Sequence, residues 1–216
     1  MGETPSARAR SQILARIRGV LGDRPDAAAE YAGIARSYRQ GPSLDRAHQI
    51  ELFAERLEHY QVGVYRCARG AIADTIRDVL GRRGRTELLV PAGVPPEWIP
   101  ADLQAIEDWQ LDHAAIDRIE GVLTGCMLAI ASTGTIVLRH QRGEGRRALT
   151  LVPDYHLCVV FEDQIVQTVP EAIRQLAASN PALVTTISGP SATADIEMTR
   201  IRGVHGPRTL DVVLAG

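Results

Sequence analysis

Residues 62–91 read VGVYRCARGAIADTIRDVLGRRGRTELLVP. VGVYRC (62–67) is a short strand, GAIADTIRDVLGRRG (70–84) an amphipathic helix that runs out in glycines, and TELLVP (86–91) a second apolar strand. Strand, helix and strand at this spacing predict a parallel sheet joined by crossover helices, since a tight hairpin cannot link parallel strands. The fold class that follows is α/β.

Downstream the texture changes. After prolines at 95–100 and a weak strand near 106–111, four strand-like runs crowd together: VLTGCMLAIAS, TIVLRH, ALTLVPD and HLCVVFE. Their connections are too short for crossover helices, so this region is expected to be antiparallel or mixed, with RHQRGEGRRA (139–148) as an exposed hairpin tip. Alternation then resumes with a helix at 169–179, the strand LVTTIS (183–188) and a final strand TLDVVLAG. Upstream, Ser43 is placed to cap a helix running to about Tyr60, with Ile50, Leu52, Phe53 and Leu57 on its buried face. Residues 6–21 carry Ile13, Leu14, Ile17, Val20 and Leu21 at helical spacing and stop at Gly22, while 23–42 read as an irregular Pro/Ala/Gly-rich arm. The expected organisation is a helical arm over 1–42 and one α/β domain over 43–216.

Composition narrows the chemistry. All 24 basic side chains are arginine, against 26 acidic ones, for a net charge of −2. Without lysine, a Schiff base, a phosphate-loop lysine and a nucleotidyl-lysine intermediate are excluded. An anion must be held by Arg, His or backbone N–H groups. A net charge this small gives no overall electrostatic reason to bind nucleic acid or anionic lipid. Cys67, Cys126 and Cys158 form no CxxC pair, which removes any sequence-local iron–sulfur or zinc motif, and Cys126 and Cys158 read as small core residues. The histidines show no HxxxH, HxH or HExxH spacing, so no metal site is expected. The polar, Arg-bearing N-terminus lacks the apolar core of a secretory signal and no run of about 18 apolar residues occurs. The expected location is therefore the cytoplasm.

Three loops are candidates for a site. In ISGPSATADIE (187–197) an apolar strand ends in Ser188, Gly189, Pro190 and Ser191, followed by Thr193, Asp195 and Glu197. Strand-end loops of α/β sheets present amides and hydroxyls to ligands, so Ser188, Gly189, Ser191 and Thr193 are candidate ligand contacts. The same residues read equally as a tight strand-to-helix turn, with Ser191 or Thr193 as its cap and solvated charges beyond. In ASTGTIVL (131–138), Thr133, Gly134 and Thr135 either face an anion or form a Thr-Gly hairpin turn. In GVHGPRTLDV (203–212), His205 between two glycines is either a proton carrier or a hydrogen-bonded structural residue.

Taken in order, these stretches resemble one family. Thr124-Gly125, AIASTGTIVL (129–138), Pro153 with His156, ISGPS (187–191) with TADIE (193–197), and GVHGP (203–207) are similar to the LUD-domain family. Within it they resemble the lactate utilization protein C (LutC, or YkgG) family, over roughly residues 40–216. Ser132 and Ala192 depart from that pattern, which often has an acid and a base there. The resemblance implies a NagB/RpiA/CoA-transferase-like mixed sheet flanked by helices. It also implies a role in oxidising L-lactate to pyruvate beside LutA-like and LutB-like iron–sulfur proteins, which would carry the clusters while this chain binds no cofactor. The expected role is an accessory subunit more than a catalyst, holding a small anionic ligand in the strand-end loops. The alternative is a stand-alone CoA-transferase-like enzyme with Glu197 or Asp195 as nucleophile or base, and His205 as a further catalytic candidate. A third reading is a ligand sensor.

Overall fold

The computed structural model describes residues 5–21, 27–190, 192–194, 200–202 and 206–216, with backbone alone for 5–7, 27, 192–194 and 200–202. The chain falls into two units, Met1–Tyr38 and Arg39–Gly216. The first contains α1 (Pro5–Leu21) and a short α2 (Ala27–Gly33). Part of the stretch expected to be irregular is therefore helical, because its run of alanines is the best helix-forming sequence available.

In the second unit, α3 (Arg46–His59) is capped by Asp45, whose Oδ1 accepts the His48 N–H at 2.9 Å. The expected cap, Ser43, is engaged elsewhere. Its N–H donates to Gln167 Oε1 at 2.6 Å and its hydroxyl accepts from Gln167 Nε2 at 3.1 Å. There follow β1 (Gly63–Cys67), α4 (Ile72–Arg83), β2 (Glu87–Val90), β3 (Gln104–Glu107), α5 (His113–Asp117) and β4 (Val122–Thr124). Then come β5 (Leu128–Ile130), β6 (Thr135–Leu138), β7 (Tyr155–Phe161), β8 (Ile165–Val166), α6 (Val169–Ser179) and β9 (Thr185–Ile187). The last strands are β10 (Ala192–Ala194), β11 (Arg200–Arg202) and β12 (Thr209–Ala215).

Six strands form the main sheet in the order β1-β12-β7-β4-β2-β3, and every pairing is parallel. β1 and β2 share this sheet, as the opening βαβ motif predicts, but three strands separate them. The crowded middle region divides between two sheets. β4 and β7 join the parallel sheet, while β5 and β6 build a second, four-stranded sheet ordered β8-β5-β6-β9. In that sheet β6 runs antiparallel to both neighbours and β5 runs parallel to β8. β10 and β11 pair antiparallel with each other, so the chain after Ser191 enters a strand where a helical turn was expected.

The strand period of two explains the layering. Cys158, Val160, Val212 and Leu214 face one way, into a core shared with α3 and the second sheet (Phe53, Leu57, Ile136, Leu138). Leu157, Val159, Val213 and Ala215 face the other way, onto Ile72, Ile76, Val79 and Leu80 of α4. The far side of the second sheet is covered by Ala172 and Leu176 of α6.

The basic segment 139–148 is not an exposed hairpin tip, since β6 pairs with β5 and β9 and not with β7. It folds inward. Gly143 bridges two neighbouring turns, donating its N–H to Ala92 O at 2.9 Å and accepting the Gly125 N–H at 2.8 Å. Glu144 is buried, with Arg139 against it at 3.1 Å. Arg146 grips Asp108 through two hydrogen bonds of 2.7 and 2.9 Å and also donates to Leu111 O.

Two ion pairs are set into this frame. Asp211 on β12 has no exposed surface. Arg83, in the last turn of α4, holds both its oxygens at 2.8 and 2.7 Å, and the Tyr155 hydroxyl donates to it at 3.0 Å. This contact raises Arg83 above its usual range. Tyr155 is raised mainly by burial and then by the Asp211 charge. Removing one partner of such a pair leaves a charge unpaired in the interior, which typically costs about 3–5 kcal/mol. Because the Arg83 side chain is 38% exposed, water relieves part of that penalty. Arg83→Gln is expected to cost about 2–3 kcal/mol by chemical denaturation, with the Asp211-facing core intact by near-UV circular dichroism.

Asp108 gives the fold a pH dependence. Hydrogen bonds from Arg146 hold its carboxyl below the usual range, outweighing desolvation. The folded state therefore binds this proton less readily than the unfolded chain. The resulting stability is complete above the ordinary carboxylate value of about 4 and disappears as pH falls through the lower folded-state value. Thermal melts of Asp108→Asn are expected to show a lower melting temperature at neutral pH and a flatter loss below pH ~4.

Candidate functional site

A cleft of about 170 Å³ opens where the N-terminal ends of β7 and β12 meet the end of β9. His156 and Leu210, each the second residue of its strand, form its floor. Thr185 to Pro190 form one wall, and Arg147, Thr150 and Leu151 another. A site at strand carboxyl ends was expected. The cleft lies at the carboxyl end of β9 but at the opposite, N-terminal end of β7 and β12, because β9 belongs to the second sheet.

Arg147 is the only charged side chain among the described residues lining the cleft. Its Nη1 donates to Thr185 Oγ1 at 2.8 Å, and no carboxylate is paired with it among the described residues. The same hydroxyl lies 2.6 Å from His140 Nε2, while His140 Nδ1 lies 2.9 Å from Gly145 O. A carbonyl only accepts, so Nδ1 carries a proton, and in the neutral ring Nε2 accepts the Thr185 hydrogen. Thr185 thus donates to His140 and accepts from Arg147, which fixes the guanidinium at the cleft wall. His156 is held from behind, its Nε2 2.7 Å from Thr124 Oγ1 on the neighbouring strand.

Five of the candidate ligand contacts can be placed with their side chains. Ser188 and Gly189 line the cleft. Thr135 Oγ1 lies 2.8 Å from Ser188 Oγ and 2.7 Å from Thr133 Oγ1, so three hydroxyls from two loops form one chain ending at the cleft. Gly134 lies away from it, with φ +59° and no room for a side chain: a Cβ there would come within 2.7 Å of Arg56 Cβ on α3. Gly189, which does line the cleft, is also seated on the helix one turn on, with φ +85° and a Cβ that would meet Tyr60 Cβ at 2.7 Å. Both glycines thus seat their turns against α3. Gly134 stands in the β5–β6 hairpin turn offered as its structural alternative, whereas the strand-to-helix turn offered for Gly189 is not formed, since β10 follows. Ser132, where the family pattern departs, is exposed and donates its N–H to Gln167 O at 3.0 Å.

Ser191, Asp195, Glu197 and His205 lie outside the described residues, and Thr193 is described only as backbone of β10. The residues bounding that stretch, Pro190 and Gly206, both line the cleft.

Sequence reasoning missed Arg147, read as part of a solvated tip, and His156, which entered only through the family pattern. Cys126 and Cys158, read as small core residues, both lie in the buried cluster between the two sheets. The available signal was the spacing of Thr124, His156 and Cys158 on two apolar runs. Using it required knowing that β4 and β7 are neighbours.

No described helix is long and apolar enough to cross a membrane. Comparison with known proteins places the chain. The LUD domain family matches residues 50–215. A lactate utilization protein C from Deinococcus radiodurans is 41% identical over 215 residues, covering 98% of this chain and 97% of that one. The lactate utilization protein C of Bacillus subtilis is 26% identical over 182 residues, covering 74% and 72%. A crystal structure of a DUF162 family protein from Deinococcus radiodurans superposes with a TM-score of 0.70 at 41% identity, covering 80% of this chain and 99% of that chain. With a family match spanning most of the second unit and a full-length relative at this identity, the chain belongs to the LUD-domain family, among proteins of the lactate utilization protein C type.

Proposed function

We propose that this protein serves lactate utilization as an accessory component of iron–sulfur L-lactate oxidation, and that its cleft holds a short carboxylic acid. The pathway rests on the name borne by a relative 41% identical along nearly its whole length. The ligand class rests on one observation: an arginine without a carboxylate partner among the described residues, fixed at the wall of a cleft whose other polar groups are hydroxyls and one imidazole.

The chemistry matches in kind and in size. A guanidinium binds a carboxylate through paired N–H donors. Ser188 and Thr186 offer hydroxyls that donate or accept, and His156 offers a group of either character, as a hydroxyl or keto oxygen beside that carboxylate requires. At about 170 Å³ the cleft is below the range of roughly 300–1,000 Å³ typical for larger ligands. That favours an acid of a few carbons over a nucleotide or a whole CoA ester. Such an acid would report substrate or product level to the redox partners, whose clusters carry the electrons.

Thermal stabilisation by L-lactate and pyruvate tests the ligand. At about a hundred times Kd the gain is about 2.7 kcal/mol, and no product should form from the protein alone. Arg147→Met loses a charge-assisted bond of about 1.5–3 kcal/mol, a weakening of roughly ten- to hundredfold, with an unchanged melting temperature in the absence of ligand because the residue is exposed. Failure of both acids to stabilise the protein would refute the ligand class. The partnership is tested separately by affinity purification from the native host grown anaerobically on lactate. Brown iron–sulfur proteins with lactate-oxidising activity should co-elute, and a solitary colourless protein would refute the accessory role.

A further inference from the structure

His140 stands behind the cleft wall in an uncommon backbone conformation. Its φ of +58° lies in the left-handed region, which few residues other than glycine adopt. The half-buried ring is pinned at both nitrogens, with Nδ1 2.9 Å from Gly145 O and Nε2 2.6 Å from Thr185 Oγ1. The same Thr185 oxygen accepts the Arg147 Nη1 hydrogen at 2.8 Å. Thr185 itself lines the cleft.

A hydroxyl oxygen carries one hydrogen and two lone pairs beside its bond to carbon. At Thr185, His140 and Arg147 take up two of those positions, and the third is left for the cleft. With the ring neutral, the hydrogen points at Nε2 and one lone pair accepts from Arg147. The free position is then a lone pair, which repels a carboxylate. With the ring protonated, Nε2 becomes a donor. Both lone pairs are then occupied, and the hydrogen is released to the free position, where it donates to an anion. The protonated ring also sets a second positive charge behind Arg147. The other charges of its own segment are already paired or turned outward: buried Glu144 with Arg139, Arg146 with Asp108, and Arg142 exposed beside Gly93. From the surrounding elements come Arg147 and, on β7, His156, while β9 (Thr185, Thr186, Ile187) carries no ionisable group.

Building on the carboxylate reading of the cleft, we propose that the acid binds together with one proton, taken up by His140, and that this proton turns the Thr185 hydroxyl from an acceptor into a donor to the ligand. The proton comes from solvent and forms the new Nε2–H bond. The hydrogen bond from Thr185 to Nε2 is exchanged for one from Nε2 to Thr185 Oγ1, and no other covalent bond is made or broken. His140 is thus a positioning residue that acts through Thr185. Anion and proton favour each other reciprocally, because each binds better where the other is present. The cleft responds to carboxylate and proton as a unit, so its occupancy follows acid load as well as the concentration of the anion.

Calorimetric titration of the full-length protein with pyruvate, in paired buffers of different ionisation heat, counts the protons taken up. Pyruvate stays ionised between pH ~6 and ~8, as carboxylic acids do there, so any uptake belongs to the protein. The expected result is uptake of about one proton and an affinity roughly tenfold higher at the lower pH. Nitrogen NMR of the unaltered protein at fixed pH needs no variant: pyruvate should move the His140 ring signals from the Nδ1–H neutral form to the imidazolium. His140→Asn suits the left-handed backbone and keeps a donor for Gly145 O, and it should bind pyruvate with neither uptake nor pH dependence. Thr185→Ser should retain both, and His156→Gln should bind more weakly with the uptake intact. Pyruvate or L-lactate bound without proton uptake, or uptake that survives His140→Asn and disappears in His156→Gln, would overturn this proposal and leave the ligand class standing. Absence of binding by either acid at every pH would overturn both.

Discussion

A carboxylate with no exposed surface sits in the strand next to the middle of the main sheet, and much of the architecture is arranged around pairing it. Asp211 must be neutralised where it stands, because the neighbouring strands and α4 exclude water from it. Arg83 does so from the last turn of α4, which fixes where that helix ends relative to β12, and Tyr155 does so from the first residue of β7. Helix, central strand and neighbouring strand are thereby pinned at one end of the sheet. That is the end at which the next residues along, His156 and Leu210, turn to the opposite face and floor the cleft. The buried ion pair and the cleft are two sides of one alternation.

Much of the fold was legible because it rests on period and punctuation. The βαβ motif at 62–91, the α6 helix over 169–179 and the closing strand carry local signals that tertiary structure had no reason to override. What the sequence did not disclose was partnership. VLTGCMLAIAS looks like one run, yet it splits after Thr124 so that β4 joins one sheet and β5 the other. Nothing local marks that division except Gly125, and its role appears only once Gly143 is seen to accept its N–H. Segment 139–148 was misread for a related reason. Its charges look solvated in the chain, but Glu144 is buried against Arg139 within the segment and Arg146 finds Asp108 across the fold.

The site divides along the same line. Residue types that announce themselves in a strand-end loop, such as Thr133, Thr135, Ser188 and Gly189, could be named as candidates from the sequence, and the structure gathers the three hydroxyls into one chain. Residues whose meaning depends on a neighbour were not. Arg147 gains its character from Thr185 and His140, and His156 gains its from Thr124. Parallel sheets bring distant residues into register, so in such folds a search by local spacing underestimates chemistry near the strands.

The seating of the two glycine turns against α3 has a geometric consequence. Gly134 rests on Arg56 and Gly189 on Tyr60, positions four residues apart on the same side of one helix and its cap. At 1.5 Å of rise per residue, the two loops are spaced by about 6 Å of helix axis. The helix acts as a ruler: it sets the gap between the turn that carries Thr133 and Thr135 and the turn that carries Ser188. A relative of this chain with one residue inserted between those two positions would rotate one seat by about 100° around the helix. The hydroxyl chain would then part while every residue that forms it was still present.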